Sequence, residues 1–129
     1  MKINLTSIPV RDQEEALAFY TDKLGFVKQE DTPMGEHRWL TVVSPEGAHG
    51  VELLLEPLGF EPAKDFYAAL YEAGIPATSF ATDDMAGEVA RLRERGVAFR
   101  GEPQEMGNAS VAIFDDTCGN LICLTQRIA

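Results

Sequence analysis

The feature that most constrains this sequence is an internal duplication. A helical segment at residues 12–25, DQEEALAFYTDKLG, is matched by DMAGEVARLRERG at residues 84–96. Each segment begins at an aspartate suited to capping a helix and ends at a glycine suited to the left-handed conformation that follows one. Apolar residues recur in both at three- and four-residue steps, which predicts one buried face on each helix.

The segments around the two helices repeat as well. Short, β-branched stretches precede them at residues 5–10 and 77–82, and another strand-like stretch follows each helix. Farther along, the turn at residues 44–47 corresponds to residues 116–119 at a separation of 72. Several matched features at a nearly constant separation indicate a repeated strand–helix–three-strand unit.

The repeat also predicts the domain organisation. We expect one domain over residues 1–129, with the first unit at 1–58, a connecting helix within 59–76 and the second unit at 77–129. Pro62 and Gly74 punctuate the connecting helix, as expected for helix ends. Its apolar stripe is formed by Phe66, Ala69, Leu70 and Ala73.

Composition narrows the classes of function. The net charge is −10, from 21 acidic and 11 basic residues, which argues against a nucleic-acid partner because phosphate binding needs clustered Lys and Arg. No apolar run approaches the roughly 20 residues that span a bilayer, and the N-terminus lacks a signal-peptide pattern. Two cysteines, Cys118 and Cys123, favour a reducing compartment over a disulfide framework. We therefore expect a cytoplasmic protein.

Short motifs in the two units are similar to those of a known superfamily. The first unit opens with V-x-D…A-x-x-F-Y…L-G-F, and the second closes with D-x-x-G-N. These residues are Val10, Asp12, Ala16, Phe19, Tyr20, Leu24, Gly25, Phe26, Asp116, Gly119 and Asn120. The pattern resembles the vicinal oxygen chelate superfamily, which includes glyoxalase I, extradiol dioxygenases, fosfomycin-resistance enzymes and bleomycin-resistance proteins. The resemblance covers essentially the whole chain and is specific for the fold, not for the function.

The repeat and the resemblance together imply the fold class. We expect an α+β fold in which two tandem βαβββ units form a curved, mostly antiparallel eight-stranded sheet with helices on its outer face. In many members of this superfamily a second chain completes each concave sheet. The resemblance therefore also implies a homodimer.

The resemblance implies four positions at which metal-dependent members hold an ion, one on the first and one on the last strand of each unit. The first-strand position lies seven residues before the capping aspartate. The four positions hold Leu5, Glu52, Ala77 and Cys123. Leucine and alanine have no donor atom, and one carboxylate cannot replace the several protein ligands that a divalent ion needs. We therefore expect the family's metal site to be lost, with no cofactor.

Strand alternation assigns the candidate site to one face of the sheet, because successive side chains point to opposite faces. The aliphatic sides of the closing strands should pack on the helices, so Glu52 and Cys123 should face the concave side. Trp39 offers a flat apolar wall for a ligand ring. The predicted lining of this cavity is Leu5, Ser7, His37, Trp39, Thr41, Glu52, Leu54, Ala77, Ser79, Cys123 and Thr125.

Individual candidates allow plainer interpretations. Glu52 is either a general base or acceptor in the cavity, or a solvated or salt-bridged carboxylate with Arg38 as a candidate partner. Trp39 is also consistent with core packing, and His37 with an ordinary surface histidine. Cys118 occupies a turn, where it is expected to be accessible, and receives no catalytic role.

Three classes of function stay open at this point. The vacant ligand set favours a metal-free relative of the bleomycin-resistance proteins that binds a small, partly apolar molecule. The alternative is a lyase, isomerase or dioxygenase of the same superfamily that uses Glu52 as a base or as the sole remaining family metal ligand. A purely structural or regulatory interaction module is the third class.

Overall fold

Eight strands and three α-helices follow one another over residues 1–128, which are the residues that the computed structural model describes. Each half of the chain runs strand, helix, three strands, as the repeat predicts. The α+β class and the two tandem βαβββ units are therefore confirmed. The chain divides into two compact units, and the second begins at Asp65, inside the helix that joins the repeats.

The first unit contains one helix and a four-stranded mixed sheet. Its elements are β1 (Leu5–Val10), α1 (Gln13–Ala18), β2 (Val27–Met34), β3 (His37–Val43) and β4 (Glu52–Pro57). A π-helical turn, Phe19–Lys23, continues α1. The strand order is β1-β4-β3-β2, in which β1 runs parallel to β4 and the other neighbours are antiparallel.

Side-chain hydrogen bonds hold the start of α1, where the sequence predicts a cap at Asp12. Asp12 caps the helix by accepting a 3.0 Å hydrogen bond from the amide of Glu15. At the next position, the Gln13 amide group donates to the carbonyl oxygens of Arg38 and Leu55, at 2.7 and 2.9 Å. The Gln13 side chain also accepts from the amide of Arg38, at 3.0 Å. One glutamine therefore joins α1 to both β3 and β4.

The second unit repeats this arrangement, with shorter counterparts of β1 and β2. After α2 (Glu61–Glu72) its elements are β5 (Thr78–Ala81), α3 (Met85–Glu94), β6 (Gln104–Met106), β7 (Ala109–Asp115) and β8 (Leu121–Arg127). The strand order is β5-β8-β7-β6, with β5 parallel to β8. The strand expected directly after α3 is reduced to a bridge between Phe99 and Phe114.

Hydrogen bonding among the described strands produces two four-stranded sheets. The eight predicted strands are present and most neighbours are antiparallel, as expected. They are divided between two sheets, and no described strand joins β1 to β5 in one ladder. Among the described residues, no helix has the length and apolar character needed to cross a membrane.

The packed side of α2 differs from the predicted stripe. Phe66 is 57% exposed, and Ala69 and Ala73 are also exposed. The cause lies at Tyr71, whose hydroxyl donates to Asp115 and accepts from Arg100, at 3.1 Å for the latter. The Arg100 guanidinium also lies over the Tyr71 ring. These contacts turn the tyrosine, and not the Phe66 side of α2, toward β7.

The D-x-x-G-N motif has a structural role. Asp116 is fully buried, and its Oδ1 accepts from the amides of Cys118 and Asn120, at 2.7 and 3.0 Å. Its Oδ2 accepts from the side-chain amide of Asn120 at 2.9 Å. Cys118 is 4% exposed, which corrects the expectation of an accessible thiol, because this turn folds inward around Asp116.

Candidate functional site

Seven of the predicted lining residues share one face of the first sheet. Paired residues on adjacent strands point to the same face, and the register pairs Leu5 with Glu52, Ser7 with Leu54, and Thr41 with Leu54. Trp39 and His37 precede Thr41 by two and four residues on β3 and share its parity. We call this surface the open face of the first unit, formed by Leu5, Ser7, His37, Trp39, Thr41, Glu52 and Leu54.

Arg38 marks the opposite face. Its guanidinium Nε and Nη2 donate to the two carboxylate oxygens of Asp31 at 2.9 and 2.7 Å, and Nη1 contacts Glu14 of α1 at 2.5 Å. These hydrogen bonds to Arg38 lower the pKa of Asp31 to about 2. The same bonds raise the pKa of Arg38. Arg38 is thus engaged on the helix side and is not the partner of Glu52.

The partner of Glu52 is Thr41. The Thr41 hydroxyl donates to Oε1 of Glu52 at 2.6 Å and accepts from the backbone amide of Glu30 at 3.1 Å. A register shift between Lys28 and Glu30 brings that amide opposite Thr41. Thr41 is fully buried, whereas Glu52 is partly buried. One hydroxyl therefore orients a carboxylate and satisfies a strand amide.

Trp39 is positioned by a second carboxylate, that of Glu30. The indole Nε1 donates to Oε2 of Glu30 at 3.0 Å, and Trp39 is partly exposed. Sequence reasoning missed Glu30 as a site residue. The signal was the tight turn between Met34 and His37, which pairs Thr32 with Trp39 and therefore places Glu30 on the same face.

The remaining predicted residues lie on the second unit, where the open face has a different character. Ser79 lies opposite Cys123, and Ala81 lies opposite Thr125. Ile113 and Val111 of β7 pair with the same two β8 residues. Gln126, of opposite parity, reaches α3 by accepting from the amide of Met85 at 2.8 Å. The face of Cys123 and Thr125 is therefore the one away from α3, and its side chains are small and mostly apolar.

The number of residues between the first and the closing strand differs between the two units. Leu5 lies directly opposite Glu52, but the amide of Ala77 donates to the carbonyl of Leu121, and Cys123 lies opposite Ser79. Leu121, not Cys123, therefore corresponds to Glu52. The β3–β4 loop, residues 44–51, is three residues longer than the β7–β8 loop, residues 116–120. A constant separation of 72 residues consequently does not extend to the closing strands.

The residues at the four family positions do not fit a metal ion. Leu5 and Ala77 supply only carbon, and an oxygen of Glu52 already accepts from Thr41. Cys123 lies two residues beyond Leu121, the residue that pairs with Ala77. Nowhere in residues 1–128 do three or more His, Cys, Asp or Glu side chains converge in a way that could hold a metal.

Comparison with known proteins agrees with the fold and its motifs. The family model of the Glyoxalase/Bleomycin resistance protein/Dioxygenase superfamily matches residues 2–124. The chain belongs to this superfamily. A similar protein, the uncharacterized protein YurT of Bacillus subtilis (strain 168), is 53% identical over 127 residues, covering 98% of this chain and 100% of that protein.

Two solved structures are similar over nearly their full length. The crystal structure of UcmS2 has a TM-score of 0.82 and 34% sequence identity, covering 97% of each chain. TnmS3, an antibiotic binding protein from Streptomyces sp. CB03234, has a TM-score of 0.75 and 34% identity, covering 98% of this chain and 96% of that chain. A protein described as antibiotic binding therefore has this architecture.

Proposed function

We propose that this superfamily member is a binding protein that holds a small, partly apolar molecule on the open face of the first unit without a metal ion. The observation that carries the proposal is the arrangement around Trp39. Its indole edge is held by Glu30, and on the same face the buried hydroxyl of Thr41 holds Glu52. An aromatic wall with a few oriented polar groups is typical of small-molecule sites.

Two further facts support binding over catalysis. TnmS3, which is similar over nearly the whole chain, is an antibiotic binding protein. In addition, glyoxalase-type chemistry requires a metal to stabilise the charge that develops in the transition state, and Leu5 and Ala77 cannot contribute to holding one.

The experiment uses Trp39, the only tryptophan in the chain. Polycyclic aromatic antibiotics are added to purified protein, and tryptophan fluorescence and melting temperature are recorded. A bound compound should change both, and Trp39→Leu should abolish the thermal shift. Phe60→Leu is the matched control because Phe60 is 71% exposed and lies outside the open face. A panel that changes neither quantity, or a Trp39→Leu variant that binds normally, would contradict the proposal.

One observation favours the enzymatic alternative: Glu52 is a partly buried, oriented carboxylate directly opposite Leu5. In that case Glu52 acts as a base or as a single metal ligand. Elemental analysis separates the two functions. A stoichiometric transition metal that is lost in Glu52→Gln would support the enzyme and count against the binding protein.

The proposal also includes a homodimer and a location in the cytoplasm. The family supports the homodimer, and the composition supports the location. Light scattering on the purified protein checks the oligomeric state, and a monomer at micromolar concentration would contradict it. Fractionation of cells that express the protein checks the compartment.

A further inference from the structure

The connecting helix α2 differs from α3 in how it is held to the second unit. The side chains of Met85, Val89 and Leu92 bury one face of α3. None of the described residues of α2, in contrast, is buried. Burial of an apolar face supplies most of the stability of a helix in a protein. The attachment of α2 to the second unit therefore depends on contacts of another kind.

Polar contacts of one side chain, that of Tyr71, join α2 to the rest of the second unit. The Tyr71 hydroxyl donates to the carboxylate of Asp115 and accepts from Nη2 of Arg100 at 3.1 Å. The Arg100 guanidinium lies over the Tyr71 ring, 5.3 Å from its centroid, and 3.6 Å from the Asp115 carboxylate. The Lys64 side chain, by comparison, donates to Glu61 within α2 itself. We call Tyr71, Asp115 and Arg100 the Tyr71 latch.

The two partners of Tyr71 are fixed by contacts in which α2 takes no part. Asp115 is the last residue of β7, and its Oδ1 accepts from the amide of Thr117 at 2.7 Å. Thr117 has a φ of 61°, which a β-branched residue rarely adopts, so this bond helps to hold a strained turn. The amide of Arg100 donates to the carbonyl of Ile113 on β7 at 2.7 Å. The sheet side of the latch is therefore ordered independently of α2.

Backbone hydrogen bonds fix the chain on each side of α2. Before the helix, the amide of Leu58 donates to the carbonyl of Val10 at 3.1 Å, within the first unit. After the helix, the amide of Ala77 donates to the carbonyl of Leu121 at 2.8 Å, within the second unit. Residues 59–76 therefore form a strap that is fixed at both ends, and the Tyr71 latch holds it in between.

We infer that α2 undocks from the second unit as a separate segment while the sheet of that unit stays folded, and that the Tyr71 latch sets how often this happens. Segments with few buried apolar contacts are those that open at low free energy. A helix of 12 residues is only marginally stable in water without packing, because nucleation is costly. The undocked α2 therefore loses its helical hydrogen bonds. This conformational device is independent of the proposed ligand site.

Native-state hydrogen exchange on the full chain tests the inference. Amide protection is followed by NMR in increasing urea, below the unfolding transition. We expect the amides of α2 to have protection factors at least about tenfold lower than those of α3 and β8. Their exchange should depend little on urea, because undocking exposes little surface. Tyr71→Phe removes the hydroxyl of the latch and should lower protection in α2 by a further factor of about ten, as the loss of a hydrogen bond to a charged group allows. Protection in α3 and β8 should not change.

Tyr67→Phe is the matched control, because it removes a hydroxyl from the same helix one turn before the latch. The Tyr67 ring contacts that of Phe66, and the change keeps this contact. Protection in α2 should stay within about twofold of the unmodified protein, as for other surface substitutions. The inference is overturned if α2 and β8 share one protection factor and one urea dependence, which would mean that α2 opens only with the whole unit. Equal effects of Tyr71→Phe and Tyr67→Phe, or an equal loss of protection in α2 and β8 in Tyr71→Phe, would overturn it as well.

Discussion

The hydroxyl of Thr41 on β3 donates a 2.6 Å hydrogen bond to Oε1 of Glu52 on β4. The Thr41 hydroxyl oxygen also accepts a hydrogen bond from the backbone amide of Glu30 on β2. A fully buried side chain therefore connects three adjacent strands and sets the orientation of the acid that lies opposite Leu5. The stability of the sheet and the polarity of its open face consequently depend on the same hydroxyl.

We expect Thr41→Val to destabilise the protein by about 1–3 kcal/mol, because it leaves the Glu30 amide and the Glu52 carboxylate without a partner. Combined with Glu52→Met in a double-mutant cycle, it should reveal a coupling of about 1 kcal/mol. Urea unfolding measures all four proteins. The exposed Glu46→Gln change is the control and should be additive with Thr41→Val. Additivity of Thr41→Val and Glu52→Met would mean that the hydrogen bond contributes nothing.

The Arg38–Asp31 pair predicts an acid-dependent change in stability. Hydrogen bonds from Arg38 lower the pKa of Asp31 from 3.8 to about 2 in the folded protein. Because the folded value lies below the unfolded one, the contribution is present above about pH 4 and is lost as the pH falls toward 2. Carboxylate titration by NMR should place Asp31 near 2, and Arg38→Gln should return it toward 3.8. An unchanged titration in Arg38→Gln would refute the assigned cause.

Gln13 should be a stabilising contact between helix and sheet. Its side chain forms three hydrogen bonds with the backbone of Arg38 and Leu55, so Gln13→Ala should cost about 1–3 kcal/mol. Amide hydrogen exchange should accelerate in α1. Gln126→Ala is the matched variant, because Gln126 contacts the start of α3 through Met85 and Asp83, and it should accelerate exchange in α3. Protection of α1 that survives Gln13→Ala would contradict the role of this glutamine.

Tyr71 predicts a change at alkaline pH. The hydrogen bond to Asp115 is the main cause that raises its pKa above the usual 10. The folded value is the higher one, so this contribution is present below about pH 10 and is lost as the pH rises through the folded pKa. NMR of ¹³C-labelled tyrosine should show Tyr71 titrating late. Tyr71→Phe should remove that resonance and increase amide exchange in α2. A Tyr71 that titrates at or below 10 would contradict the contact.

Much of the first unit could be predicted because its information is local. Alternation along β3 and β4 is a property of the strand backbone, so Trp39, Thr41 and Glu52 were placed on one face without knowledge of strand order. The helix caps at Asp12 and Asp84 could also be predicted from the sequence, since each depends on a backbone amide only three residues away. The candidate site is thus recovered as a set of positions on one face.

What the sequence did not reveal depends on pairing between distant segments. Glu30 becomes part of the site through the β2–β3 register and its irregularity, which no single-strand pattern contains. Counting 71 residues along the chain matches Cys123 with Glu52, but the shorter β7–β8 loop reduces the separation from the repeat's 72 to 69 and makes Leu121 the match. The contact of α2 with β7 also lies beyond the helical pattern, because Tyr71 is held by Asp115, 44 residues away.

The mismatch between Glu52 and Leu121 has a consequence for how such a chain reaches its fold. Tandem copies of one unit are prone to exchanging equivalent strands while they fold. Here the loops at residues 44–51 and 116–120 differ in length, but they return Glu52 and Leu121 to equivalent positions beside Leu5 and Ala77. A closing strand that docked on the wrong first strand would therefore place the charged Glu52 where Leu121 is 1% exposed. The cost of burying that carboxylate opposes the exchange.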